Sequence, residues 1–386
     1  MPHNLLSRRA ATRQLAAAGL ALTAPWARAE DGVTARQLLI GQNITLQGGK
    51  NDYGVAVSEG IASHLGVINA QGGVNGRQIV LKVLDDDNSS ANAEANARQL
   101  ITQHKAFVLF GSIEGGPSSA VMKAAVDLGV PFFGPMAGTP TFRRPYQPLV
   151  FPVRAEHREE FRALLAYTQQ TGGSRIAFFR SDSETGLMHL ENVRLLCKEM
   201  GMELALDMPF KSDISDAQLD AYVQRLVEIN PHCVFNHGGI GVYERLIRKA
   251  KTKITRNVFC GVNSGSAQLA QHLGELAHGM VFSQVVPSPW ERKAAIAREY
   301  REVYARAHPG KDFSYGSLEG YITAKALVAA LRLAGGNPTR ASFVAGLHAA
   351  GSLDINGLRA VYKPGAHDGL SLVDLSIVSS DGRFRH

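Results

Sequence analysis

Leu38-Leu39-Ile40-Gly41-Gln42-Asn43, then residues 53–69, then Gln78-Ile79-Val80-Leu81-Lys82-Val83-Leu84 decide the fold. The first run is short and apolar, with Gly beyond it, and predicts a strand. From 53 onward the period lengthens: Val57, Ile61, Leu65 and Ile68 fall on one stripe of a helix. Gln71-Gly72-Gly73-Val74-Asn75-Gly76 stops that helix with turn-forming residues. The third run is again β-rich. Strand, helix and strand in succession form a parallel crossover unit.

The unit repeats. Helix 91–103, strand 106–110, helix 117–128 and strand 131–133 continue the first series. A second series starts after Phe151-Pro152-Val153: helix 156–169, strand 175–179, helix 186–200, strand 203–207, helix 216–229, strand 232–236, helix 242–251, and strands 257–261 and 280–285. Ser288-Pro289-Trp290 breaks the alternation. Helices 291–306 and 316–334 follow, then strands 357–361 and 371–378. Two series predict an α/β protein with two Rossmann-like lobes, each around a parallel-rich sheet. A chain of 386 residues is long enough for two such cores. Ligands in open parallel sheets bind beyond the carboxyl ends of the strands. Here that means 43–53, 111–119, 134–139, 180–185, 236–239 and 261–265.

Charge distribution excludes some functions. The formal net charge is +7, but Arg8, Arg9, Arg13 and Arg28 lie in the first 29 residues, which hold no acid. Without those four the balance falls to +3. No basic stripe with interleaved aromatics runs through the rest, so a nucleic-acid partner is not expected. Residues 1–29 have the form of a signal peptide: Ser7-Arg8-Arg9, an Ala/Leu-rich run, and Ala27-Arg28-Ala29 before a cleavage point. The arginine pair suits a twin-arginine route, although Ala11 stands where that signal has a large apolar residue. The protein is therefore expected in the periplasm, with no membrane insertion of the mature chain. Cys197, Cys233 and Cys260 are too few and too uneven for a disulfide framework and are expected as buried thiols. Cys233, His237 and Cys260 match no compact zinc spacing, so no metal is expected.

Gly111-Ser112-Ile113-Glu114-Gly115-Gly116-Pro117-Ser118-Ser119 is the most informative loop. Gly115 and Gly116 allow close approach of the backbone, and Pro117 suits a first helical turn. Free N–H groups there, with the Ser118 and Ser119 hydroxyls, form either an anion cradle fit for a carboxylate or a plain helix cap. Nucleotide-binding glycine patterns and the Gly-x-Ser-x-Gly elbow are missing, and no cofactor is expected. His64 and His104 fall within helices, in packing or surface positions. Asp85-Asp86-Asp87 is expected as a solvated strand end. The cleft loops are poor in acid/base pairs, which speaks against an enzyme.

Several segments resemble the branched-chain amino-acid (leucine/isoleucine/valine) type of periplasmic solute-binding protein of ABC transporters. They are Ile40-Gly41-Gln42 with Tyr53-Gly54, Asn69-Ala70-Gln71-Gly72-Gly73-Val74-Asn75-Gly76-Arg77, Pro131-Phe132-Phe133-Gly134-Pro135, the stretch 255–261, and Tyr315-Gly316-Ser317-Leu318-Glu319-Gly320-Tyr321. The likeness covers the chain beyond the signal segment. It implies a type I binding-protein fold, two lobes joined by three crossovers near Val153, Pro287 and Pro364. The first lobe would be 30–152 with 288–363, and the second 153–287 with 364–386, so that helices 291–349 return to the first lobe. It also implies hinge closure on a small solute, with a membrane permease as partner; a sensory receptor is the alternative.

The same resemblance implies ligand contacts at Tyr53, Gly115, Gly116, Ser118, Ala137, Gly138, Thr139, Thr185, Gly239 and Asn263. Gly115 and Gly116 replace a Ser/Thr that grips the solute's carboxylate, leaving that task to backbone N–H groups and Ser118. Thr185 and Gly239 replace aromatics, and Gly239 is expected to leave room for a larger solute. Asn263 stands where amino-acid binders carry the acid that pairs with the ammonium. A desolvated ammonium needs a charge partner, so a carboxylate-bearing solute that is not a free amino acid is expected.

Overall fold

The computed structural model describes residues 30–254, 258–263 and 265–386. The expected signal peptide, 1–29, lies outside the described residues, as do Thr255, Arg256 and Asn257 of one quoted segment.

Two sheets organise the chain. The first holds β1 (Gln37–Ile44), β2 (Gln78–Asp85), β3 (Val108–Phe110), β4 (Phe132–Phe133) and β5 (Val150–Phe151), in the order β2-β1-β3-β4-β5 and parallel throughout. The second has β6 (Arg175–Ser181), β7 (Glu203–Phe210), β8 (Cys233–His237), β9 (Val258–Gly261) and β10 (Val281–Gln284), also parallel. β14 (Asp374–Val378) and β15 (Phe384–Arg385) extend it antiparallel beyond β10. β11 (Ser352–Ile355), β12 (Leu358–Lys363) and β13 (Ala366–Gly369) form a small antiparallel sheet. Strand order reverses between β1 and β3 and between β6 and β8. Such reversals open a crevice at the strand ends, and each lobe contributes one.

The helices are α1 (Asp52–Ala70), α2 (Ser90–Thr102), α3 (Gly115–Asp127), α4 (His157–Gln170), α5 (Glu184–Met200), α6 (Asp216–Ile229), α7 (Ile240–Ala250), α8 (Ser266–Leu273), α9 (Ala295–Ala307), α10 (Tyr315–Leu333) and α11 (Arg340–Ala350). Ile296, Tyr300, Leu318, Tyr321 and Phe343, from α9 to α11, share one apolar core with Leu38, Ile40, Val57 and Phe133. The chain thus passes from first sheet to second after β5, returns after β10, and passes again after β13. We propose lobe boundaries at 152/153 and 287/288. For the third passage we propose residues 370–373 rather than Pro364, because β13 pairs with β12 and Leu370 packs in the first core. α8 and the two-residue β5 were not legible in the pattern: both are too short for a period to show.

Helix α10 is buried on nearly every side and packs along α1. The contact is backbone to backbone. A Cβ added at Gly60 would sit 1.8 Å from the Ser317 carbonyl oxygen, and one at Gly320 would sit 2.2 Å from that of Val57. These glycines explain the Gly316–Gly320 spacing of the quoted segment: they let α10 approach α1 closely enough to set Glu319 beside Tyr53. The three cysteines are buried and free, with the sulfurs of Cys233 and Cys260 3.2 Å apart.

Two outcomes are expected. Gly60→Ala should destabilise the protein by about 3 kcal/mol or more in urea unfolding, because backbone on both helices must move; an unchanged midpoint would contradict the packing. His64 is buried edge-on against Tyr321, and burial, with Lys325 nearby, lowers its pKa to about 4. The folded state therefore binds fewer protons than the unfolded state between pH ~6.5 and ~4, and stability falls as pH drops through that window. His64→Phe should reduce that loss by on the order of 3 kcal/mol. Equal losses in the two proteins between pH 7 and 4 would refute the assignment.

Candidate ligand-binding cleft

The loop after β1 is held rigidly. The Asp85 carboxylate accepts from the backbone N–H groups of Leu46 (2.9 Å), Gln47 (3.2 Å) and Gly48 (2.9 Å). Asp86, fully buried, accepts from Asn43 Nδ2 (2.6 Å) and Thr45 Oγ1 (2.7 Å). Both acids are loop anchors, accepting from donors of a tight loop; Asp85 and Asp87 are exposed, as expected of a solvated strand end, whereas Asp86 is buried. Asn51 then caps α1, its Oδ1 accepting from Gly54 N at 2.8 Å, and delivers Tyr53 to the cleft.

The 111–119 loop enters α3 through Glu114, which has φ +63°. Ser118 is fully buried; its hydroxyl donates to Ile113 O (3.0 Å) and pairs with Ser112 Oγ at 2.8 Å. Ser119 Oγ donates to Gly115 O at 2.7 Å. Both hydroxyls brace the loop, so Ser118 does not face a solute as expected. Gly115 adjoins Thr139, whose buried Oγ1 has no hydrogen-bond partner. Gly116 is exposed beside Ser90. Ala137 packs into an apolar cluster of the first lobe. Gly138 is pressed against His157, and its N–H donates to His157 Nε2 at 3.2 Å.

At the floor of the cleft, Arg154 is 2% exposed and lies between two carboxylates. Its Nη2 contacts Glu160 Oε1, and its Nη1 lies 3.8 Å from Glu319 Oε1. Tyr53 Oη (2.7 Å) and Asn263 Nδ2 (2.8 Å) both donate to Glu319 Oε2. Ser283 Oγ (2.7 Å) and Asn263 N (3.2 Å) donate to Glu160 Oε2, and His157 Nδ1 lies 2.8 Å from Oε1. The network joins α1 and α10 on one side to α4 and the ends of β9 and β10 on the other. Burial raises a carboxyl, but Arg154, His157 and Ser283 bring Glu160 down to about 2. Glu319 has weaker compensation, and burial leaves its carboxyl above the ordinary value despite Arg154.

Above this floor is a cavity of about 240 Å³ with walls from both lobes. Gln47, Asn51, Tyr53 and Glu114 line one side; Asn236, Gly239 and Phe282 line the other. Among the described residues of the wall, Glu114 is the one ionisable acid, and no Lys or Arg is present. Burial, with Asp86 nearby, raises the Glu114 carboxyl above its ordinary value. Gly239 has φ +52°, and a Cβ there would sit 2.4 Å from the Phe210 ring. The room expected beside Gly239 is thus filled by Phe210, whose ring stacks on Phe179.

Of the residues expected from sequence, Tyr53 and Gly239 line this cavity, Gly115 and Thr139 meet beside it, and Asn263 joins Tyr53 through Glu319. Thr185, half-buried in the first turn of α5, is outside the wall, as are Ser118 and Ala137. Arg154, Glu160, Glu319 and Glu114 were missed as site residues. A signal existed for two of them: Glu319 is a lone acid in an apolar helix, and Arg154 directly follows Phe151-Pro152-Val153. Isolated charges in apolar runs are buried only when paired.

The family description "Periplasmic binding protein" fits residues 37–378. No curated protein matches the chain. Among solved structures, a possible leucine/isoleucine/valine-binding protein from Rhodopirellula baltica is 25% identical with a TM-score of 0.81, covering 93% of this chain and 98% of that one. A fatty acid ABC transporter substrate-binding protein from Thermomonospora curvata is 16% identical, with a TM-score of 0.78 and 92% of both chains covered. An ABC transporter solute-binding protein from R. palustris, in complex with benzoate, is 17% identical with a TM-score of 0.75, covering 90% of this chain and 95% of that one. The last two bear on fold alone. With the family match spanning both sheets and the connections between them, the chain belongs to the periplasmic binding proteins, in the branched-chain amino-acid type that its motifs resemble.

Proposed function

We propose that this protein is the extracytoplasmic solute receptor of an ABC importer, that residues 1–29 are its export signal, and that its partner is the importer's membrane permease. The solute is a small organic molecule bearing a carboxylate and is not a free α-amino acid. Hinge closure of the two lobes traps it. A ligand shifts an open–closed equilibrium only by its differential affinity for the two states, so the contacts that matter are those made with both lobes at once. The reading contains no catalytic step. Among the described residues no helix is long and apolar enough to cross a membrane.

One observation carries the solute class. The N-terminus of α3 and the unpartnered Thr139 hydroxyl meet at Gly115, beside a Glu114 whose carboxyl is raised toward its neutral form. Backbone N–H groups at a helix start and a hydroxyl are donors, and a carboxylate is a guest that uses them. At the other end Asn263 and Glu319 are already engaged with each other, with Tyr53 and with Arg154, which leaves no free acid there for an ammonium.

The test is a thermal-shift screen, with calorimetry on the hits, against aliphatic acids, aromatic acids, their amides, and amino acids. An acid at a hundredfold excess over its dissociation constant should stabilise by about 2.7 kcal/mol. Tyr53→Ala should abolish the shift, and Glu114→Gln, which fixes the neutral form, should retain it. Tight binding of leucine or valine, lost in Glu114→Gln, would assign Glu114 to an ammonium, overturn the exclusion of free α-amino acids and leave the receptor reading in place. A shift unchanged in Tyr53→Ala would place the site elsewhere.

A further inference from the structure

Three histidines from three separate elements meet beside the cleft. His157 is the first residue of α4, His189 lies in the second turn of α5, and His237 ends β8. Their ring centroids are 3.9 Å apart for His189 and His237, 4.5 Å for His157 and His237, and 5.2 Å for His157 and His189. One nitrogen from each ring falls within 4.8 Å of the other two. Phe161 packs against all three rings and closes the cluster on the core side. His189 is fully buried, and neither of its nitrogens has a hydrogen-bond partner. An imidazole with both nitrogens orphaned in the interior is costly, and none of the contacts described for the cleft uses it.

We propose that His157, His189 and His237 form a binding site for a divalent first-row transition metal ion, with Zn²⁺ as the representative guest. Neutral imidazole is the preferred protein ligand of such ions, and three of them leave a fourth position open. The orientation of His157 fits that role. Glu160 Oε1 accepts from the Nδ1–H at 2.8 Å, which fixes the tautomer with its lone pair on Nε2, the carboxylate–histidine pairing found behind metal ligands. Nε2 now accepts the Gly138 N–H at a long 3.2 Å, and an ion would displace that weak contact. Burial lowers all three imidazole pKa values, joined by a neighbouring ring at His189 and His237 and by Arg154 at His157, which favours the neutral form that ligates. Three nitrogens at ~2.0 Å from a tetrahedral ion are about 3.3 Å apart, so side-chain rotation suffices to close the site. His237 is the most exposed of the three, and its neighbours Asn236 and Gly238 line the cavity. An ion can therefore enter from the cleft side, past His237.

The spacing 157, 189, 237 has no sequence signature, because the ligands converge through the sheet and not along one turn. The proposal stands apart from the solute reading: it concerns different side chains and is tested with metal alone. Metal-stripped protein titrated with ZnCl₂ should bind one ion per chain in calorimetry, and CoCl₂ should give the intense visible bands of a tetrahedral Co²⁺ site with histidine ligands. His189→Phe, which keeps a ring in the buried position, and His237→Asn, at the cleft side, should each weaken binding at least tenfold. His104→Asn, in the bend after α2 and not within a helix as expected from sequence, should bind as wild type. Circular dichroism checks that the variants are folded. Absence of saturable one-to-one binding, or binding unchanged in folded His189→Phe and His237→Asn, would overturn the site.

Discussion

Arg154 sits out of water between Glu160 and Glu319, and much of the molecule is arranged around that fact. A buried guanidinium is tolerated only when its charge is met and its donors are used. Glu160 is on the first turn of α4 and Glu319 on the second turn of α10, so a single side chain ties a helix of one lobe to a helix packed on the other. The carboxylates in turn hold Tyr53, Asn263 and Ser283 in fixed positions. The cleft floor is thus a rigid, charge-balanced junction, placed where the chain crosses between sheets. Losing one member would strand a charge, which costs far more than the pair contributes net.

That junction depends on backbone proximity set elsewhere. Glu319 reaches Tyr53 only because Gly60 and Gly320 let α1 and α10 pack with their main chains in contact. On the first-lobe rim, Asp85 and Asp86 spend their carboxylates on loop N–H groups, which fixes the path from β1 into α1. On the opposite rim, Gly239 adopts a left-handed conformation against Phe210. Small residues and buried acids shape the walls; the groups left to meet a solute are amides, the Tyr53 ring, the Thr139 hydroxyl and Glu114.

The polarity of this wall differs from the simple cradle implied by the 111–119 loop. Ser118 and Ser119 turned inward to satisfy carbonyls at the start of α3, as hydroxyls near helix ends commonly do. Glu114, silent in the sequence, became the titratable group of the cavity because its unusual φ aims the chain into the cleft. The histidine cluster lies behind the wall, next to the lining residues Asn236 and Gly238.

By itself the sequence determined the two-series α/β architecture, the strand ends as the place for a site, and the family resemblance, because these rest on local periodicity and short motifs. It also placed Tyr53, Thr139, Gly239 and Asn263 near the cleft, since each follows a strand that the pattern revealed. Only the tertiary structure decided what those residues do. Whether Ser118 faces a solute or its own loop, whether Gly239 opens space or yields it to Phe210, and whether Asn263 stands alone or beside two carboxylates depend on partners far away in the chain. Arg154, Glu160 and Glu319 acquire meaning when the chain returns to the first sheet and brings α10 beside α4, and His157, His189 and His237 when the second sheet gathers three separate elements. Burial and pairing are properties of that packing, and no single segment carries them.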